Sequence, residues 1–201
     1  MIDEGYIKFE SHWDKSGALS HPEIRSLTRW REPLYAAGLI GHYADIDTGY
    51  GNISTRIGET NQFIISGTQT GHVASPGAEH FAFVTDYDIA SNAVHSTGAA
   101  EASSESMTHA AIYELDPKIR AVVHVHSEKL WLGLRGRVPT TDEQIDYGTP
   151  EMARELSRLF HKTEFSETGV AVMAGHHSGL VTTGRCLQEA AERVLSLHES
   201  L

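Results

Sequence analysis

The chain has 201 residues, and its 16 lysine and arginine residues stand against 27 aspartate and glutamate residues, which gives a formal net charge of −11. A chain of this length can bury enough apolar surface to fold as one domain without covalent crosslinks, so we expect a single domain over residues 1–201. The net negative charge argues against a protein that coats nucleic acid or anionic membranes, because both need a basic surface. The single cysteine, Cys186, excludes an internal disulfide and a thiolate metal site.

The sequence also lacks the marks of an exported or membrane-spanning chain. It contains no run of roughly 18 apolar residues, which is the length that a transmembrane helix needs. Residues 1–17 are polar and of mixed charge, unlike the basic start and apolar core of a signal peptide. We therefore expect a cytoplasmic protein.

The first part of the chain is predicted to form an arm, a helix and a loop. Residues 1–19 are interpreted as an N-terminal arm. A helix is predicted next, because Ser20 and Glu23 form a capping-box pattern and apolar residues then recur at helical spacing. Pro33 is expected to kink or end this helix. The glycines beyond it lead into a loop up to Gly49.

The rest of the chain alternates between short apolar runs and helical segments. The runs are bounded by turn residues, a pattern that predicts strands. These strands are expected at Phe63–Ile65, Phe81–Val84, Ala121–Val125, Val170–Met173 and Leu180–Thr182. Helices are expected over Ser104–Glu114, from Thr149 to Phe160, and from Leu187 to Leu197, with Ser104 and Thr149 as N-caps. Helices that alternate with strands indicate an α/β fold.

Histidines and one carboxylate form a candidate metal site. His124 and His126 lie two residues apart in the run AVVHVHS, and the period of a strand sends both side chains to one face. Such a pair can share a metal ion, although an isolated pair is more typical of the solvent-facing side of a half-buried strand. His176 and His177 precede a glycine turn, and Glu105 lies at a helix start. Three histidines and a carboxylate match a catalytic zinc site. Alternatively, His177 is only a neighbour and Glu105 complements the helix dipole.

Small-residue loops beside the predicted strands form a candidate anion site. Ser103 and Ser104 precede a helix start, where hydroxyls and free N–H groups bind anions well. Gly49–Arg56 and Ile65–Gly71 are further loops of this kind, in which glycines let the backbone approach a ligand. Each loop alone is also typical of an ordinary turn. The glycine spacings match neither a Walker pattern nor a dinucleotide fingerprint.

The motifs GNIS, SG, SSE, HVH and GHHSG occur in an order that resembles the class II aldolase/adducin family, which includes fuculose-phosphate aldolase and ribulose-phosphate 4-epimerase. The resemblance extends from about Leu27 to Leu197. It implies a three-layer α/β/α sandwich around a mostly antiparallel central sheet. It also implies a homotetramer.

The resemblance implies a role for each motif residue. The metal ligands would be His124, His126 and His176, with His176 favoured over His177 because a Gly-His followed by two residues and Gly occurs as a variant turn in relatives. Glu105 would be the catalytic acid/base and sometimes a metal ligand. The residues that would bind the substrate phosphate are Asn52, Ser66, Gly67, Ser103 and Ser104.

The resemblance, together with the histidine and carboxylate pattern, implies a zinc-dependent lyase of the aldolase type, with one zinc ion, or another divalent metal, per chain. The substrate would be a small phosphorylated hydroxycarbonyl compound or sugar phosphate, cleaved through a metal-stabilised enediolate. The alternatives are an epimerase, dehydratase or decarboxylase that uses the same site, or a non-enzymatic scaffold of the adducin type. A cupin fits less well, because cupins are all-β. The aldolases carry a proton-donating tyrosine a short distance beyond the H-x-H strand. The comparable stretch of this chain, Val138–Glu143, contains no tyrosine, and Tyr147 lies near that stretch but not at the matching position.

Overall fold

The computed structural model describes residues 5–201 as a mixed α/β fold with a large central sheet. The strands are β1 (Glu10–Lys15), β2 (Gly41–Tyr43), β3 (Thr48–Tyr50), β4 (Asn52–Arg56), β5 (Phe63–Ser66), β6 (Phe81–Asp88), β7 (Ala93–Gly98), β8 (Ala121–His126), β9 (Val170–Val172) and β10 (Gly179–Gly184). The helices are α1 (Glu23–Ala36), α2 (Ser106–Leu115), α3 (Glu128–Leu134), α4 (Pro150–Lys162), α5 (Phe165–Thr168) and α6 (Leu187–Ser200). None of them, within residues 5–201, is long and apolar enough to cross a bilayer.

The central sheet has eight strands in the order β1-β7-β6-β5-β4-β8-β10-β9, and β2 and β3 form a separate hairpin. All neighbouring strands in the central sheet are antiparallel except β1 and β7. Strand β8 lies in the interior of the sheet, between β4 and β10. The predicted sandwich with a mostly antiparallel sheet is therefore confirmed.

Helices cover both faces of the sheet because the strands are apolar on both sides. Val122 packs in a core cluster with Met107 of α2 and Leu156 of α4. Its neighbour Val123 points to the opposite face and packs in the cluster that contains α1 and α6 residues. Alternation along β8 therefore divides the buried apolar residues into two cores, one on each side of the sheet.

Three local features differ from the sequence interpretation. Residues 10–15, inside the stretch interpreted as an arm, form the edge strand β1, and Trp13 Nε1 donates to the carbonyl of Gly98 at 3.1 Å. The loop expected up to Gly49 contains the β2–β3 hairpin. The predicted Ser20–Glu23 capping box is wrong, because Pro22 takes the N-cap position of α1 and no side chain caps that end.

Candidate metal centre

The two histidines of the H-x-H motif lie side by side on β8. His124 and His126 project from the same face of the strand, and both side chains are buried. Their Nε2 atoms are 3.0 Å apart. The strand register fixes their neighbours, because His124 pairs with Asn52 of β4 and His126 pairs with Gly179 of β10.

The turn between β9 and β10 brings His176 to this pair. His176 N donates to the carbonyl of Met173 at 3.1 Å, and Gly179 N donates to the carbonyl of His176 at 2.9 Å, which closes the turn. A side chain at Gly179 would lie 3.1 Å from Cγ of the His176 ring, so glycine lets the ring lie over the backbone here. One ligand atom from each of the three histidines lies within 4.8 Å of the others.

His177 points away from the cluster. Its side chain is exposed and lies against Trp131, with the ring centroids 5.4 Å apart. The geometry therefore brings together His176, and not His177, with the H-x-H pair. Within residues 5–201, no second group of three or more histidine, cysteine or acidic side chains is close enough to share an ion.

Glu105 reaches the cluster from the start of α2. It occupies the N-cap position, one residue beyond the predicted Ser104, and its N–H donates to Ser103 Oγ at 3.3 Å. The Ser104 cap is thus wrong by one residue, because the helix begins at Ser106. The Glu105 side chain is buried, with Oε1 3.1 Å from Nδ1 of His176 and 4.0 Å from Nε2 of His124.

The hydrogen bonds around the rings turn nitrogen lone pairs toward the centre. With its proton on Nδ1, His124 donates to the carbonyl of Leu180 at 3.0 Å and directs the Nε2 lone pair at the centre. Nδ1 of His126 lies 3.3 Å from the Tyr43 hydroxyl, and with its proton on Nδ1 this ring also directs its Nε2 lone pair at the centre. Two lone pairs that face each other at 3.0 Å repel unless a proton or a cation lies between them. With both protons on Nδ1, the residues fit a bound divalent cation.

The electrostatics of the centre favour the ligand forms of His126 and Glu105. Burial, together with the positive charge of neighbouring histidines, holds the pKa of His126 well below its usual value, so the ring is neutral near pH 7. Burial raises the pKa of Glu105, but His124 and His176 outweigh that effect and lower it to about 2. Neutral imidazoles and one carboxylate are a donor set typical of zinc and similar transition metals.

A small polar cavity lies next to the metal centre and contains most of the predicted phosphate-binding residues. Asn52, Gly67, Ser103 and Ser104 line it, together with the loop Thr68–Gly71 and nearby glycines. Asn52 Oδ1 is buried without a hydrogen-bond partner among the described residues. Because Asn52 pairs with His124 across β4 and β8, a group bound in this cavity would lie beside the metal centre.

Ser66 is the predicted phosphate ligand that the structure does not bring into the cavity. Its hydroxyl accepts a hydrogen bond from Ile53 N at 3.2 Å, inside the β4–β5 pair. The backbone amides of Gly67, Thr68 and Ser103 are also occupied, because each donates to a backbone carbonyl. The side-chain donors that an anion in the cavity could use are the Asn52 amide and the Ser103 and Ser104 hydroxyls.

Two aromatic side chains at the centre were outside the sequence prediction. The buried Tyr147 ring stacks on His176, with centroids 4.3 Å apart, although the sequence placed it out of register. Tyr43 contacts His126 from the β2–β3 hairpin. Neither tyrosine belongs to a motif with fixed spacing, so only the folded loops bring them to the histidines.

Comparisons with known proteins identify the family of the chain. The sequence profile of the Class II Aldolase and Adducin N-terminal domain matches residues 32–201, and the chain therefore belongs to this family. No protein of curated function matches the chain in sequence.

Several solved structures share the fold. The chain is similar to YgbL from Klebsiella pneumoniae, described as a candidate aldolase/epimerase/decarboxylase, with a TM-score of 0.66 and 20% identity over 90% of this chain and 88% of that one. It is also similar to L-fuculose-1-phosphate aldolase from Thermus thermophilus, with a TM-score of 0.62 and 21% identity over 88% and 89%. A sugar-phosphate aldolase from Thermotoga maritima gives a TM-score of 0.64 and 17% identity over 88% and 90%. At these identities the likeness establishes the fold.

Proposed function

We propose that the protein is a zinc-dependent lyase of the class II aldolase type that acts on a small phosphorylated hydroxycarbonyl compound, such as a sugar phosphate. The convergence of the His124, His126 and His176 ring nitrogens with the Glu105 carboxylate carries this proposal. Family membership and the names of the similar aldolases support the reaction class. A scaffold that only binds other proteins has no need of a buried carboxylate beside three buried imidazoles.

The three histidines would hold the cation, with Glu105 as a further ligand or as a neighbouring base. A divalent cation in such a site supplies Lewis acidity, which stabilises negative charge that develops on a carbonyl or hydroxyl oxygen of the substrate. The imidazoles are neutral ligands, so they leave the positive charge of the cation largely available to the substrate. Zinc is our choice among divalent ions because nitrogen ligands predominate.

Glu105 is the residue that would move the proton. Its low pKa keeps it ionised at neutral pH, so in the resting protein it can accept a proton at a carboxylate oxygen. Burial keeps water away from this oxygen and preserves the strength of its interactions. Glu105 can return the proton to the substrate after the carbon–carbon bond has broken.

The neighbouring cavity would hold the phosphate of the substrate. The Asn52 amide and the hydroxyls of Ser103 and Ser104 can donate hydrogen bonds to phosphate oxygens. Binding of the phosphate, away from the reacting carbon, orients the substrate without taking part in bond cleavage. Each chain would form one such site within a single domain, and we propose a cytoplasmic homotetramer as the assembly.

A Glu105→Gln variant tests the proposal. The amide keeps the shape of the side chain but cannot exchange a proton at neutral pH, so turnover should fall by about 100- to 10,000-fold while zinc and melting temperature are retained. Turnover is measured on a panel of sugar phosphates and their unphosphorylated counterparts. Loss of zinc together with activity would make Glu105 an obligatory ligand. Intact turnover would contradict the proposed mechanism, and a product formed without carbon–carbon cleavage would favour an epimerase, dehydratase or decarboxylase.

A further inference from the structure

The β2–β3 hairpin presents a tyrosine to the metal centre. Tyr43 lies at the end of β2, half-buried, and its hydroxyl is 3.3 Å from Nδ1 of His126. The other ring nitrogen of His126, Nε2, faces Nε2 of His124 at 3.0 Å. The tyrosine therefore contacts His126 on the side of the ring away from its partner histidine.

Contacts within the hairpin hold Tyr43 in this position. Its ring packs on the ring of Tyr50 from β3, with centroids 4.4 Å apart, and the Tyr50 hydroxyl donates to the carbonyl of Gly38 at 3.2 Å. His42 Nε2 and Asp47 Oδ1, 3.0 Å apart, close the turn between the two strands. Gly49 N donates to Gln69 Oε1 at 2.9 Å, which ties the hairpin to the loop of the anion cavity.

A fixed oxygen at Nδ1 decides how an imidazole can bind a cation. An imidazole binds through Nε2 only when its single proton is on Nδ1 and the ring is turned the right way. A hydrogen bond from Nδ1–H to a positioned oxygen fixes both properties. The carbonyl of Leu180 lies in this position for His124, at 3.0 Å from its Nδ1. The Tyr43 hydroxyl oxygen lies in the equivalent position for His126.

We propose that Tyr43 is a positioning residue that holds the His126 ring with Nε2 directed at the metal centre. His126 Nδ1–H donates to the hydroxyl oxygen of Tyr43, and this bond maintains the tautomer and the ring orientation needed for binding. The inference rests on the proposed metal centre, but it concerns the affinity for the cation and not the reaction. It assigns the hairpin, which carries none of the predicted ligands, a direct part in the site.

The test compares Tyr43→Phe with Tyr50→Phe in the full-length protein. Both substitutions remove one hydroxyl from the same hairpin, and both rings lie near His126, with centroids 6.3 and 5.6 Å from it. The metal-free proteins are titrated with Zn²⁺ in competition with a chromophoric chelator. We expect Tyr43→Phe to bind Zn²⁺ about 10- to 100-fold more weakly, as is typical when a partner of a ligand histidine is removed. Tyr50→Phe keeps the ring that packs on Tyr43 and loses only the bond to Gly38, so it should bind like the parent protein.

Two further readouts separate positioning from general damage to the hairpin. The melting temperatures of the metal-free proteins should agree, because the Tyr43 hydroxyl acts on the tautomer of His126 and not on the fold. The Co²⁺-substituted Tyr43→Phe protein should show an altered visible absorption spectrum. An unchanged zinc affinity in Tyr43→Phe would overturn the inference and leave the proposed lyase intact. An equal loss in both variants, or a lower melting temperature of metal-free Tyr43→Phe, would also overturn it. A parent protein that binds no zinc would remove the metal centre itself.

Discussion

Two buried polar clusters meet helix α2 one turn apart, and they differ in how their polar atoms are satisfied. Glu105, at the start of α2, belongs to the metal centre. His109, four residues further along, belongs to a second group that we call the Ser54 cluster, which consists of Ser54, Arg56, His109 and Tyr113. Both groups contain buried ionisable side chains. Burial of polar groups alone therefore does not identify a functional site.

Hydrogen bonds within the Ser54 cluster satisfy most of its polar atoms, and His109 Nε2 is the one that is buried without a partner among the described residues. Ser54 Oγ lies 2.7 Å from Nδ1 of His109 and 2.6 Å from the Tyr113 hydroxyl. The Arg56 guanidinium donates to the carbonyls of Tyr113 and Ile119, and its Nε lies 2.9 Å from the second of these. Burial lowers the pKa of His109 to about 3, so the ring is neutral. The cluster ties β4 to α2 and has the character of a structural core.

The metal centre has a different composition of donors and acceptors. Two imidazole nitrogens face each other, and a carboxylate lies beside them. With His124 and His126 protonated on Nδ1, their two Nε2 atoms and the carboxylate oxygens are all acceptors, so in this tautomer the two Nε2 atoms cannot satisfy each other as a hydroxyl and an imidazole do. Convergence of acceptors on one point, and not burial, is the property that separates a metal centre from a structural cluster.

The largest expected effect is at the adjacent pair His176 and His177, of which only His176 belongs to the metal centre. His176→Ala should remove most of the bound metal and the turnover, because it deletes one of the three ring nitrogens. His177→Ala is the matched control and should retain both, because His177 is exposed and points away from the centre. Metal analysis and turnover are measured on both variants. Metal loss in His177→Ala with retention in His176→Ala would reverse the assignment.

A smaller and different effect is expected in the Ser54 cluster. His109→Ala should lower the free energy of unfolding by about 2–4 kcal/mol, because it leaves a cavity and breaks a buried hydrogen bond. Its metal content should equal that of the parent. Tyr113→Phe, which removes only a hydroxyl, should cost about 1 kcal/mol. Denaturant unfolding and metal analysis check both variants, and metal loss in His109→Ala would show that the two clusters are not independent.

The smallest effect is expected in the anion cavity. Ser103→Ala and Ser104→Ala should each raise KM and weaken inhibition by inorganic phosphate by about 2- to 10-fold, as expected for the loss of one neutral hydrogen bond. Ser66→Ala is the control, because its hydroxyl is bonded to Ile53 and lies outside the cavity. Phosphate inhibition that is unchanged in Ser104→Ala, or a substrate without phosphate that reacts equally well, would assign the cavity to another group.

The parts of the centre that the sequence predicts are those with local signatures. His124 and His126 follow from the period of a strand, and Glu105 follows from its place before a helix. The strands and helices that position them are also predictable, since their apolar runs are long enough to show a period. The choice of His176 over His177 needs the resemblance, because both residues stand in the same turn.

Other parts depend on packing that no local pattern records. Strand β1 is polar and lies at the sheet edge, so its sequence has no alternation to reveal it. Tyr43 reaches His126 only because the hairpin folds over the end of β8. Ser66 matches the family motif, yet its hydroxyl bonds to Ile53 because the β4–β5 register brings the two together.

Metal content is the most direct test of the claim that His124, His126 and His176 form a metal centre with Glu105. The protein, purified without chelator, should contain about one zinc ion per chain, as expected for a site with mainly histidine ligands. His124→Ala and His126→Ala, checked for retained secondary structure by circular dichroism, should each lose most of this zinc. Full zinc occupancy in both folded variants would contradict the account.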